Sequence, residues 1–163
     1  MNYPMSAGDA PRHNDAEISS GAMSHRFPRP GQRPLVFQGS QLAMAMSFTP
    51  DIPFWYEINI YRTDSQDFVL VVKQFFQSAH EEDLVKSWRH DTLADVFDAL
   101  ENYDAAQDIH VTFTNSDDRC AAEYAALAFE LRAKVQSYRG HWASLVGELF
   151  DELDVFAENF SHP

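Results

Sequence analysis

Phe54-Trp55-Tyr56-Glu57-Ile58-Asn59-Ile60-Tyr61-Arg62, then Thr63-Asp64-Ser65-Gln66-Asp67, then Phe68-Val69-Leu70-Val71-Val72-Lys73-Gln74-Phe75-Phe76: this stretch decides the fold. Its outer runs are rich in aromatic and β-branched residues, which suit a pleated, half-buried surface, and the polar run between them reads as a turn. A β-hairpin follows. Phe68 to Val72 is apolar at both parities, so the returning strand is expected to be central and covered on both faces.

Upstream, Leu35-Val36-Phe37 is a short β run and Gly39-Ser40 a turn or bulge, after which Leu42, Met44, Met46 and Phe48 alternate. Ala and Met also favour helices, so helix stays open for that part. Thr49-Pro50-Asp51-Ile52-Pro53 breaks whatever precedes it. Residues 1–33 hold four Pro, three Gly and few apolar groups at a net charge of +1. Such a segment cannot offset its ordering entropy by burial, so a disordered tail is expected there, with Met23 an alternative start.

Downstream, Ser78 to Asp83 reads as a charged loop and Leu84 to His90 as a further strand, with Leu84, Lys86 and Trp88 on one face. Thr92 is a candidate N-cap with Asp95 at N3, and Leu93, Val96, Phe97 and Leu100 form one buried stripe of the helix that follows. Ile109 to Phe113 alternates as a brief strand or extended link, and Ser116, followed by Asp117 and Asp118, is expected to cap the next helix.

From there Tyr124, Ala128, Leu131, Val135, Tyr138, Trp142, Leu145 and Leu149 recur in alternating steps of four and three, a heptad stripe. The stripe keeps its phase across Gly140, which favours one long helix over a hairpin broken there. Ala126, Ala133, Gly140 and Gly147 fall on a second line of small residues.

These elements predict an α+β protein. A small, mostly antiparallel sheet of three to five strands packs on the helix at 92–103, followed by a long C-terminal helix or helical hairpin. The corresponding regions are a tail over 1–33, a sheet-plus-helix domain over 34–115 and an association region over 116–160. A long amphipathic helix carries more apolar surface than one small sheet covers, so the surplus is expected to be buried against a second copy or another protein. The expected role is that of a non-catalytic acidic adaptor or regulator that self-associates, as a homodimer, through Leu131, Val135, Tyr138, Trp142, Leu145 and Leu149.

Charge and motif content narrow the chemistry. Twelve Lys plus Arg against 25 Asp plus Glu give a net charge of -13, which argues against a broad phosphate-binding surface. The six glycines never cluster into a phosphate loop, and there is no Gly-x-Ser-x-Gly elbow. The single cysteine, Cys120, excludes an intramolecular disulfide and reads as a small buried side chain. His80-Glu81-Glu82-Asp83 and the pair Asp108 and His110 match no recognised ligand spacing, so neither metal nor cofactor is expected. His90-Asp91 suggests an oriented imidazole, but no nucleophile stands in view for it to activate.

Two alternatives concern nucleic acid. Four strands and a helix resemble, in topology only, the Whirly-type single-strand binders. Trp55, Tyr61, Phe75 and Trp88 could stack bases beside Arg62, Lys73, Lys86 and Arg89. The net -7 of residues 77–116 opposes this, so nucleic acid is an unlikely partner on electrostatic grounds. Conversely, Asp95, Asp98, Glu101 and Asp104 could imitate phosphates toward a basic groove. No apolar run reaches the roughly 18 residues of a membrane helix. Met1 to Gly8 has neither a basic start nor a hydrophobic stretch, so no secretory signal is expected and the expected location is cytoplasmic.

Overall fold

The structure, a computed structural model, describes residues 23–29, 31–50, 52–111 and 119–160, with side chains up to 154. Five strands come first: β1 Met23–Arg29, β2 Gln32–Met46, β3 Phe54–Thr63, β4 Phe68–Phe76 and β5 Leu84–His90. Then come helix α1 Leu93–Glu101, a 3-10 turn Ala105–Asp108 and helix α2 Ala121–Phe160. The strands form one antiparallel sheet in sequence order, so the fold is α+β.

The deciding hairpin forms as expected. Its register runs from Phe54 opposite Phe76 to Arg62 opposite Phe68, with Gln66 at a φ of 71° in the turn. Val69, Leu70, Val71 and Val72 are all buried, as a strand covered on both faces requires.

The five strands fall within the expected three to five, but the first of them starts earlier than the sequence reading placed the fold. Met23–Arg29, assigned there to a tail over 1–33, is an edge strand whose His25 and Phe27 lie opposite Phe37 and Leu35. Its proline content hid it, yet Pro28 is tolerated because an edge strand leaves one side of its ladder unpaired. Gly31 takes a φ of +70° between the paired Arg29 and Gln32. Residues 1–22 lie outside the described region. The Met/Ala-rich part is strand, since Ala43 and Ala45 pair across with Ile60 and Ile58. The register shifts between Gln41 and Ala43, and at Gly39 a Cβ would collide with the Arg62 carbonyl.

The two faces of the sheet are buried differently. Tyr56, Ile58, Ile60, Leu70 and Val72 pack with Val96 and Leu100 of α1 and with Tyr138, Trp142, Leu145 and Leu149 of α2. Leu35, Phe37, Tyr61, Val69 and Val71 form a second cluster with Phe27 and Val85, and no helical residue joins it. The sheet can bury that inner face only by curling on itself, which brings β1 against β5 without adding a ladder between them.

The capping box at Thr92 and Asp95 is present in both directions. Helix α2 is a single helix of 40 residues that does not break at Gly140. Residues 116–118, where a cap was expected, lie outside the described region, as do 112 and 113 of the expected extended link. The Cys120 backbone N–H donates to the Glu123 carboxylate at 2.7 Å. Cys120 itself is exposed rather than buried, because the first turns of α2 lie off the core. The second half of α2 packs into the same core as the sheet.

An exposed ion pair ties α2 to the turn after α1. Arg139 donates through Nε and Nη2 to the two carboxylate oxygens of Asp104, at 2.9 and 2.6 Å. These hydrogen bonds, helped by the Ala106 backbone N–H, hold the Asp104 carboxyl down at about 2. A depressed folded-state value means stabilisation present above the ordinary carboxylate range and lost as pH falls toward 2. In Arg139→Gln, the Asp104 carboxyl resonance should titrate at a higher pH, back toward that range. An unmoved midpoint would show that the guanidinium is not what holds it.

Among the described residues, no helix is long and apolar enough to cross a membrane.

Candidate functional site

The heptad stripe divides at about Val135. Tyr138, Trp142, Leu145 and Leu149 are buried by the chain's own sheet and α1, so they cannot also face a partner. Phe54 lies 3.9 Å from Tyr138 between ring centroids, and the Trp142 indole N–H donates to the Leu100 carbonyl at 3.0 Å. The Tyr138 phenol is pushed up to about 12, first by burial and then by the charge of Glu81. A charge introduced at Leu145 would enter the core, so that position reports folding, not association. Leu131 and Val135 are half-buried at the transition.

Ahead of them α2 runs off the sheet. Tyr124, Leu127 and Phe129 are 56%, 41% and 76% exposed, and every residue from 121 to 130 is exposed. The small residues Ala126, Ala133, Gly140 and Gly147 also face outward along the helix. A second exposed apolar group, Met44, Met46 and Phe48, sits at one end of the sheet, with Phe48 packed edge-on to Trp55 at 5.3 Å.

The residues proposed for nucleic-acid stacking do not share a platform. The register puts Trp55, Tyr61, Lys73 and Arg89 on the inner face, and Arg62, Lys86 and Trp88 on the helix face. Tyr61 is buried. Three of the cations are held by carboxylates: Lys73 by Glu57 at 2.7 Å, Lys86 by Asp108 at 2.5 Å and Arg89 by Asp67 at 3.2 Å. Burial alone would raise the Glu57 carboxyl, but hydrogen bonds from Lys73 and Asn59 outweigh it and hold it below the ordinary range. The acidic stripe is likewise reduced, since Asp95 serves the capping box and Asp104 the ion pair to Arg139.

The polar centre of the fold is one the sequence did not show. Asp108, only 3% exposed, accepts from the phenols of Tyr56 at 2.9 Å and Tyr103 at 2.6 Å through Oδ2, and from Lys86 Nζ at 2.5 Å through Oδ1. Lys86 also donates to the Tyr103 oxygen at 3.0 Å. Burial first, and Asp108 second, push both phenols above the ordinary tyrosine value, so they stay protonated donors.

Three donors on one enclosed carboxylate make a tether that fastens the 3-10 turn to β3 and β5 rather than an accessible base. Asp108 and His110, weighed together as ligands, part company: His110 is exposed. Among the described residues no group of three or more His, Cys, Asp or Glu could hold a metal ion. Tyr56 and Asp108 are 52 residues apart, so no local pattern could have announced the cluster.

Beside it lies a cavity of about 210 Å³ between the helix face of β4 and β5 and helix α1, walled by Leu70, Trp88, Leu100, Tyr103 and Trp142, with His90 at its margin. Compared with protein-family models, curated proteins and solved structures, the chain has no match.

Proposed function

We propose that the protein is a non-catalytic binding module that pairs with a second copy of itself through the first half of α2. The observation that supports this is the exposure of Tyr124 and Leu127, neighbours one turn apart, on a helix whose apolar stripe is packed farther along at Tyr138, Trp142, Leu145 and Leu149. Exposed aromatic and aliphatic side chains on one short segment mark an interaction surface more often than an ordinary solvated helix.

Charge favours a second copy as the occupant. The chain carries -13, yet residues 121–138 hold two acids, Glu123 and Glu130, against Arg132 and Lys134, and so are neutral. Two highly acidic molecules repel least where each presents a neutral surface. An antiparallel approach brings the Glu123 end of one helix to the Arg132 and Lys134 end of the other, and the surrounding alanines permit close backbone spacing.

At about 100 μM, light scattering after gel filtration should give twice the chain mass of 18.6 kDa. Tyr124→Ser with Leu127→Ser should return it to the single-chain mass with its circular dichroism unchanged, as both side chains lie outside the core. A wild type that stays at the single-chain mass at this concentration removes the proposal.

A further inference from the structure

The cavity of about 210 Å³ beside the Asp108 cluster exceeds ordinary packing defects, since protein interiors hold few voids larger than a water molecule. Leu70 and Val72 of β4, Trp88 of β5, Leu100 of α1 and Trp142 of α2 line it, so four elements converge on one space. All five belong to, or pack against, the single core on the helix face of the sheet.

The walls are held in place. Tyr103, a further lining residue, has its phenol fixed by Asp108 at 2.6 Å and by Lys86 at 3.0 Å. The Trp142 indole is tied to the Leu100 carbonyl at 3.0 Å. Leu70 and Val72 lie buried in the central strand. Side chains fixed in this way do not swing in to close the space. A cavity that does not collapse leaves its apolar lining short of contacts until something fills it.

The lining sets the chemistry of the occupant. Among the described residues that form it there is no Asp, Glu, Lys or Arg, so an entering ion would lose hydration with no partner in return. The ring faces that could attract a cation are also occupied. Lys86 Nζ lies 5.1 Å from the centre of the Tyr103 ring, and Tyr103 packs at 4.4 Å on Trp142. Trp88, Tyr103 and Trp142 supply aromatic walls, and ring against ring gains more than simple burial. Asn102 and Gln107, both exposed, complete the lining with a polar rim where it meets solvent.

We propose that this cavity binds a small neutral aromatic molecule, with its ring among Leu70, Trp88, Leu100 and Trp142 and one polar substituent at the rim of Asn102 and Gln107. Size agrees: a cavity of roughly 150 Å³ is enough for benzene, so 210 Å³ takes a benzene ring with a short substituent. The exposed segment 121–130 of α2 does not line the cavity, so binding here is independent of pairing between copies.

The test titrates the full chain with benzyl alcohol, benzoate, protonated benzylamine and cyclohexylmethanol, and follows indole N–H and methyl resonances. Benzyl alcohol should shift the Trp88 and Trp142 indoles saturably, with a Kd of about 1 mM or below. Its ring protons should show contacts to the Leu70 and Leu100 methyl groups. The two ions should bind about 10-fold more weakly or worse, because each must shed its hydration, and cyclohexylmethanol should fall between. Ala99→Leu, which adds bulk to the cavity wall on α1, should weaken benzyl alcohol by about 10-fold or more while circular dichroism stays unchanged.

The absence of saturable shifts up to about 10 mM, a weak-binding limit, would overturn the proposal. So would benzoate or benzylamine binding as tightly as benzyl alcohol, which would show an exposed site rather than the cavity. Ring contacts confined to residues outside the lining would overturn it too, and this reading holds for the wild type even if Ala99→Leu disturbs the fold. A folded Ala99→Leu that binds benzyl alcohol like the wild type would have the same consequence.

Discussion

Asp108→Ala should lower the free energy of unfolding by about 3–5 kcal/mol, the range for removing one partner of a buried ion pair. The loss comes from the groups left behind. Lys86 and the phenols of Tyr56 and Tyr103 all direct donors at that carboxylate, and each stranded buried donor costs about 1–3 kcal/mol. Lys86 is partly exposed and can turn to water, so the tyrosines dominate. Asp108→Asn keeps an acceptor oxygen and should lose less than the alanine variant. Urea titration read by circular dichroism measures both. If alanine and asparagine cost the same, under about 1 kcal/mol, the tether carries no weight. For a domain stable by about 5–15 kcal/mol, the expected loss leaves little margin.

Trp142→Ala is expected to cost about 3–5 kcal/mol, as large aromatic truncations in cores do. Its indole packs 4.4 Å from Tyr103 and 5.3 Å from Tyr56 between ring centroids, and it donates to the Leu100 carbonyl, so α1, α2 and the sheet all lose a contact. Phe129→Ala, on the same helix but 76% exposed, should change stability by no more than about 0.5 kcal/mol. The contrast decides whether α2 is an appendage or part of the domain. Were it an appendage, Trp142→Ala would leave the main unfolding transition where it is. As part of the domain, the helix and the sheet should lose structure together at one lower denaturant concentration.

Local pattern made much of the fold legible. Aromatic and β-branched content located β3, β4 and β5, and a run apolar at both parities marked β4 as covered on both faces. The capping box was readable from Thr92 and Asp95 alone, since its hydrogen bonds span only three residues. The unbroken heptad phase through Gly140 anticipated one helix, and α2 is one helix. β1 escaped notice because the signal that makes it a strand, Phe27 and His25 against Leu35 and Phe37, resides in its partner.

The candidate sites divide along the same line. The apolar stripe of α2 was visible, but periodicity records only which face is apolar and is silent on what covers it. Tyr138, Trp142, Leu145 and Leu149 meet the sheet, whereas Tyr124 and Ala128 meet solvent, although all obey one repeat. Lys86 and Trp88 were placed beside Trp55 and Arg89 as one surface, and strand register sends them to opposite faces.

Order along the chain thus set the α+β class, the hairpin, the first helix and the length of the second, because each depends on interactions within a few residues or on a repeating period. Three-dimensional packing decided the rest: the closure of β1 toward β5, the division of α2 and the Asp108 cluster. Those features join residues far apart in the chain, such as Tyr56 with Asp108 and Tyr56 with Trp142, and a contact between distant residues leaves no spacing for a sequence to display.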